Sequence, residues 1–237
     1  MGTRLYIAII ADIIGSRKIE DRIGVQRHLE QVLRVINTTY AHAIASQFII
    51  TLGDEFQGVL HDGTNVMPIL NQIQREMYPT EFRYGIGVGT ISIELQTETS
   101  LGSDGKAFHL ARAMVEEVRA LENRKSEAKT NMLIGIEGQQ NTSLVLNTLS
   151  KLIWALQSNW TERQRQVIAT LQQYGDTQAE VAKRLGIVQS SVQKSLASSK
   201  FYAYEEATDT ISQMLKDIVE KGLKRNAPSH GSSRENT

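Results

Sequence analysis

The chain has 237 residues, 26 basic and 26 acidic side chains, and 41% hydrophobic residues, which is the composition of an ordinary globular protein and excludes a disordered or fibrous one. It has no cysteine, so disulfides, thiolate metal centres and cysteine nucleophiles are excluded too. No apolar run approaches the roughly 18 residues of a membrane-spanning helix, and the first residues enter a strand pattern without a signal peptide, so a cytoplasmic protein with no membrane partner is expected.

Residues 5–11 (LYIAIIA) lack polar alternation, which suits a strand buried on both faces. The strand stops at Asp12-Ile13-Ile14-Gly15-Ser16-Arg17-Lys18. The spacing of Val25, Leu29, Val32, Ile36, Tyr40 and Ile44 predicts a helix over 21–45. A strand over 47–52, a tight turn at Gly53-Asp54-Glu55 and a returning strand over 56–61 form a hairpin. A helix over 62–77 follows, with Pro68 early enough to be tolerated. Residues 82–93 read as a strand whose alternating Gly85, Gly87 and Gly89 leave one face bare, for close backbone or ligand approach. A loop over 100–105, a helix over 106–121 and a short strand over 132–137 complete a β-α-β-β-α-β-α-β series. Its first six elements have the order of the ferredoxin-like arrangement.

From residue 144 the pattern is all helical. A connecting helix over 144–157 carries Leu146, Leu149, Ile153 and Leu156 on one face, which must pack on the sheet unit, the following helices or a second subunit. Thr161 with Gln164 has the spacing of a capping box. Residues 177–194 fit a helix-turn-helix: Ala182 is small enough for the crossing, Gly186 suits the turn and Val192 packs inward. Such a pair would present Thr177, Gln178, Gln189, Ser190, Ser191, Gln193 and Lys194 to duplex DNA. The alternative is a helical hairpin that only packs. A final helix spans 202–223, and the polar tail is expected to be disordered. The predicted class is therefore α+β. A ferredoxin-like, or palm, sheet domain (1–140) precedes an all-α helix-turn-helix domain (141–224) and a tail (225–237).

Asp12 and Asp54 fall at neighbouring strand ends in this arrangement. Two adjacent carboxylates favour a cation between them, and beside phosphates the hard cation is Mg²⁺. The loop after Asp12 can turn backbone N–H groups to a triphosphate, with Arg17 and Lys18 to neutralise it.

Asp12-Ile13-Ile14-Gly15 and Thr51-Leu52-Gly53-Asp54 resemble two motifs of class III nucleotidyl cyclases. Leu52 to Phe56 also resembles the hairpin of the GGDEF diguanylate cyclases. The resemblance, over about residues 1–137, implies a nucleotide-cyclase-like domain, Mg²⁺ (or Mn²⁺) with a nucleoside triphosphate, and a homodimer. It implies metal ligands at Asp12, Ile13, Asp54 and Glu55, and a nucleotide held by Ile14, Gly15, Ser16, Arg17, Lys18, Gly53 and Lys106. Asp12, Asp54 and Arg112 would be the catalytic residues. Two positions depart from the pattern. Ile50 stands where the cyclases have a base-selecting lysine, and His109 and Arg112 stand near their asparagine and arginine. Arg112 reads equally as a salt-bridge partner.

The segment from Trp160 through the helix-turn-helix resembles LuxR-type regulators and the promoter-reading domains of sigma factors. A cyclase-like palm joined to such a segment resembles the SatD family. The combination implies a bacterial DNA-binding transcriptional regulator with a Mg²⁺-dependent nucleotide-binding domain. The alternative is an active cyclase or nucleotidyltransferase making a cyclic or linear nucleotide signal.

Overall fold

The computed structural model describes residues 4–91 and 105–225. The last residues expected of the glycine-rich strand, most of the loop over 100–105 and the tail from 226 lie outside them.

The described chain is a mixed structure of one five-stranded sheet and eight α-helices. β1 (Tyr6–Ile13) occupies the centre, and the spatial order is β2-β3-β1-β4-β5. β1 runs antiparallel to β3 (Glu55–Leu60) and to β4 (Phe82–Gly89). β2 (Ile44–Leu52) adds to β3 as the hairpin arm. β5 (Met132–Ile136) lies parallel to β4, a direction that requires the helical crossover through α3 (Lys106–Asn123). The first four strands keep the split β-α-β order.

Several elements begin or end away from their expected bounds: β2 opens at Ile44 and not at 47, the connecting helix opens at Gln140 and not at 144, and two helices differ for a visible reason. α1 (Arg22–Thr39) stops well short of residue 45. Ile44 satisfies the helical spacing after Tyr40, but it also opens the two-residue alternation of β2. The sheet claims it: Ala43 already accepts from the His61 N–H at 3.0 Å. α2 (Val66–Met77) starts four residues late. Asp62 folds 62–65 into a turn by accepting from the Thr64 N–H (3.0 Å) and hydroxyl (2.9 Å).

One face of the sheet is covered by α3. Ala8, Ile10 and Val59 meet Ala107, Phe108, Ala111 and Val115 there. The alternating glycines make this contact possible. A Cβ on Gly85 would lie 2.0 Å from the Ala111 carbonyl oxygen, and one on Gly87 would lie 1.9 Å from that of Ala107. Of the two uses open to a bare strand face, this is backbone approach.

The opposite face packs on α1, α2 and α4 (Gln140–Gln157) in one apolar cluster that continues into α5 (Glu162–Tyr174), α6 (Gln178–Leu185), α7 (Gln189–Ser198) and α8 (Phe201–Arg225). Leu146 and Ile153 of α4 are buried, and α4 packs on β5 and α8. α8 also leans on α2, and the Tyr204 hydroxyl donates to Asn71 Oδ1 at 2.9 Å. The helical segment is thus braced against the sheet unit.

Both sheet edges are closed by an asparagine from a helix. Asn37 of α1 bonds the Phe48 N–H and C=O at 2.8 and 2.9 Å. Asn147 of α4 does the same for Ile134 at 2.7 and 3.1 Å. Each satisfies edge groups that would otherwise invite another strand.

Candidate functional site

Register places Asp12 directly between Glu55 on β3 and Arg83 on β4. Cross-strand partners share a face, so all three project towards α3. That helix starts beside Gly89, at the Tyr6 end of β1, and runs back towards Asp12, bringing Arg112, Arg119 and Glu122 over the acidic residues. Arg83 donates to Asp12 Oδ1 at 2.9 Å and grips Glu122 through Nε (2.6 Å) and Nη2 (2.8 Å). Arg119 holds the other Asp12 oxygen. Arg112 takes Glu55 bidentately, at 2.7 Å to Oε1 and in close contact with Oε2.

The side chains of Asp12 and Arg83 are only 8% and 12% exposed, whereas Arg112 and Arg119 are 45% and 48% exposed. The electrostatics agree with tight pairing. The Glu122 hydrogen bond, and secondarily Asp12, holds the Arg83 guanidinium above its ordinary pKa against the opposing effect of burial. Hydrogen bonds to Glu55 and Asp12 do the same for Arg112 and Arg119.

The surroundings of Asp54 are different. The Ile13 N–H donates to the Asp54 carbonyl at 3.1 Å, which ties the end of β1 to the hairpin turn. Asp54 itself lines a cavity of about 300 Å³ with Ile13, Ser16, Gly53, Arg22 and Gln26. Gly15 (φ 67°) turns the chain into a short 3₁₀ turn, Ser16–Lys18, whose Arg17 and Lys18 are exposed. The Ile14 N–H is committed to the Glu81 carbonyl at 2.8 Å, and that of Lys18 to Gly15 at 2.8 Å. An anion here would therefore take its backbone donors from Gly15, Ser16 or Arg17.

The structure thus brings Ile13, Ser16, Gly53 and Asp54 to one cavity and Asp12, Glu55 and Arg112 to one ion-pair network. Lys106 joins neither. It sits beside Gly89, whose register partner is Tyr6, about 20 Å along the strand from Asp12. The direction of α3 sets it at the opposite end of the sheet from Asp12. Arg83, Arg119, Arg22 and Gln26 went unnoticed in the sequence. Register from Asp12 would have found Arg83, and the seven-residue step from Arg112 would have found Arg119.

As arranged, these acidic residues do not fit a resident Mg²⁺ ion. Both oxygens of Asp12 are occupied by guanidinium groups, as are those of Glu55. Among the described residues no group of three or more potential ligands converges.

The helices of residues 177–198 have their own geometry. Thr177 caps α6 by accepting from the Glu180 N–H, while Glu180 returns to the Thr177 N–H at 2.7 Å. The Thr177 N–H and hydroxyl, both donating to the Glu180 carboxylate, hold it below its ordinary pKa. Gly186 (φ 63°) ends α6 in the left-handed conformation that glycine adopts without strain. Val192 and Leu196 bury one side of α7, while Gln189, Ser190, Ser191, Gln193 and Lys194 are exposed. Thr177 is spent on the cap, and Gln178 donates to the Tyr202 hydroxyl at 3.1 Å.

Comparison with known proteins gives one family and several distant folds. The model of the SatD family matches residues 6–215. A bacterial light-regulated adenylyl cyclase is 16% identical, covering 55% of this chain and 75% of its own, with a TM-score of 0.39. The guanylyl cyclase Cya2 is 16% identical over 49% of this chain and 73% of its own (TM-score 0.34). A regulator of polyketide synthase expression from Bifidobacterium adolescentis is 11% identical over 95% and 87% (TM-score 0.26). Likenesses this distant carry nothing about activity. No curated protein matches the chain. No helix among the described residues is long and apolar enough to cross a membrane.

Proposed function

The chain belongs to the SatD family, and on that footing we propose that it is a DNA-binding regulator whose sheet unit binds a nucleotide beside Gly15. The observation that carries this reading is α7: one side buried, the other a continuous polar surface of Gln189, Ser190, Ser191, Gln193 and Lys194, set by a left-handed glycine turn against a capped α6. Glutamine can pair with adenine edges, and serine and lysine suit bases and phosphates. One such helix reads a short half-site, so a homodimer is the DNA-bound form.

The test is duplex binding by the full chain, because α4 and α8 are braced on the sheet unit. Lys194→Ala is expected to weaken binding on all sequences and to lower the salt slope by about one, as for a lost phosphate contact. Gln189→Ala is expected to relax base preference at one position. Absence of binding to any duplex at low salt overturns the reading.

For the nucleotide, Arg22 lines the 300 Å³ cavity, and Arg17 and Lys18 add positive charge from the exposed turn that begins at Ser16. Because Asp12 is neutralised from within the chain, a divalent ion would enter with the nucleotide, with Asp54 beside it. Calorimetry should find Arg22→Ala about tenfold weaker for a nucleoside triphosphate, the loss of one charge-assisted contact. Affinity with and without Mg²⁺ should differ by less than that.

A second reading, an active nucleotidyl cyclase or transferase, is favoured by one observation. Asp12, Asp54 and Glu55 lie on adjoining backbone positions, and two of the three arginines that mask Asp12 and Glu55 are half exposed and able to swing out. A strict Mg²⁺ or Mn²⁺ requirement, lost in Asp12→Asn, together with new products on chromatography after incubation with each triphosphate, would establish this reading and displace the sensor.

A further inference from the structure

A second cavity, of about 260 Å³, is enclosed by α2, α4, α5 and α8 against the first residues of β4. Its apolar walls include Trp154, Trp160, Phe82 and Tyr204, so both tryptophans of the chain are there. Carboxamides supply nearly half of the polar lining. Gln157 donates to Gln74 at 2.8 Å, which leaves the Gln157 carbonyl as an acceptor. Asn71 accepts from Tyr204 and keeps its amino group to offer.

The charges of the cavity cancel. Arg165 lies over the Tyr78 ring, Glu162 accepts from the Tyr78 hydroxyl at 2.7 Å, and Arg75 reaches Glu76 at 3.2 Å. Arg75 adds a cost. Its Nε is buried with no partner among the described residues, and an unmet donor of this kind destabilises a fold by about 1–3 kcal/mol.

We propose that this cavity is a second small-molecule site, for a neutral heteroaromatic ring of nucleobase type. Aromatic walls favour a flat ring. Paired carboxamide donors and acceptors match an edge that both donates and accepts, as glutamine and asparagine match adenine. The two arginines and two glutamates of the lining balance, so the cavity offers a phosphate or carboxylate no net positive charge. The volume lies just below the roughly 300–1,000 Å³ of drug-sized sites and suits a ring system of about base size. The site touches both parts of the molecule, since Phe82 and Asn131 come from the sheet and Trp160, Arg165 and Tyr204 from the helices. Through Phe82, the register partner of Ile13, and Glu81, whose carbonyl holds the Ile14 N–H, it also adjoins the Gly15 loop.

Because Trp154 and Trp160 are the only tryptophans, fluorescence excited at the red edge of indole absorption reports occupancy directly. Adenine, hypoxanthine and uracil would each be titrated into the full chain as free bases. The expected result is saturable quenching by at least one of them. Gln157→Leu should weaken it about tenfold, the value of one lost hydrogen bond in a buried site. If Gln157→Leu does not fold, Trp154→Phe serves in its place: Trp160 remains as the single reporter, and affinity should fall with the loss of one wall. Inorganic triphosphate should not compete, and Arg22→Ala should leave the quenching unchanged. No saturable change with any base on folded protein overturns the proposal. So does affinity unaltered in the cavity variant, or competition by triphosphate, which would place the ring at the Gly15 cavity instead.

Discussion

Gly87→Ala is expected to destabilise the chain by about 3 kcal/mol or more, the upper end of what an extra carbon costs in a packed core. The reason is what the new methyl group would strike. The Ala107 carbonyl oxygen would be 1.9 Å away and the Ala111 backbone nitrogen 2.5 Å away. Backbone atoms cannot rotate aside as a side chain can, so α3 would have to retreat by more than an ångström. That retreat would uncover Ala8, Ile10 and Val59, all buried beneath the helix. Gly135→Ala is the control. Its methyl group would meet Leu110 side-chain carbons at 3.3 Å, and a small rotation relieves the contact, so a loss below about 1.5 kcal/mol is expected. Urea unfolding of the two variants measures the difference. Equal small losses would mean that α3 is not seated on the glycine track.

Arg83→Met is expected to cost about 3 kcal/mol, near the lower end for removing one partner of a buried ion pair. The penalty comes from what is left behind. Asp12 is almost fully buried, and it would keep only the half-exposed Arg119; Glu122 would lose both of its contacts with Arg83. Asp12→Asn in the same chain should restore part of the loss, since a neutral amide is less costly to leave without a cation. Unfolding free energies around the double-mutant cycle give the coupling directly. Additive losses would contradict the pairing of Asp12 with Arg83.

The order of strands and helices along residues 5–137 was legible because short apolar or alternating runs give way to apolar positions spaced three or four apart. The hairpin at Gly53-Asp54 was legible from its turn residues. The pair of helices around Gly186 was legible because Ala182, Gly186 and Val192 each do a distinct local job. What stayed hidden depends on distant parts of the chain. Arg83 and Arg119 look like ordinary surface arginines until an antiparallel strand and a returning helix bring both to Asp12. Asn37 and Asn147 look like solvent-facing residues in mid-helix until each is seen to close a sheet edge. Lys106 and Arg112 share one helix, and only the direction of that helix separates them, setting the lysine at the Tyr6 end of the sheet and the arginine near Glu55. The end of α1 was misplaced because Ile44 fits two periodicities, and only the hydrogen-bonded partner at His61 decides between them.

The most direct test of the central claim is selection from a random duplex pool by the full-length chain. It would be run beside a variant in which Gln189, Ser190 and Gln193 are all alanine and the buried Val192 and Leu196 are untouched. The account predicts that the native chain enriches a short two-fold repeat. The variant should fold normally and retain salt-sensitive, sequence-independent binding, but enrich nothing. Recovery of the same sequence by both proteins, or of none by the native chain at any salt concentration, would contradict it.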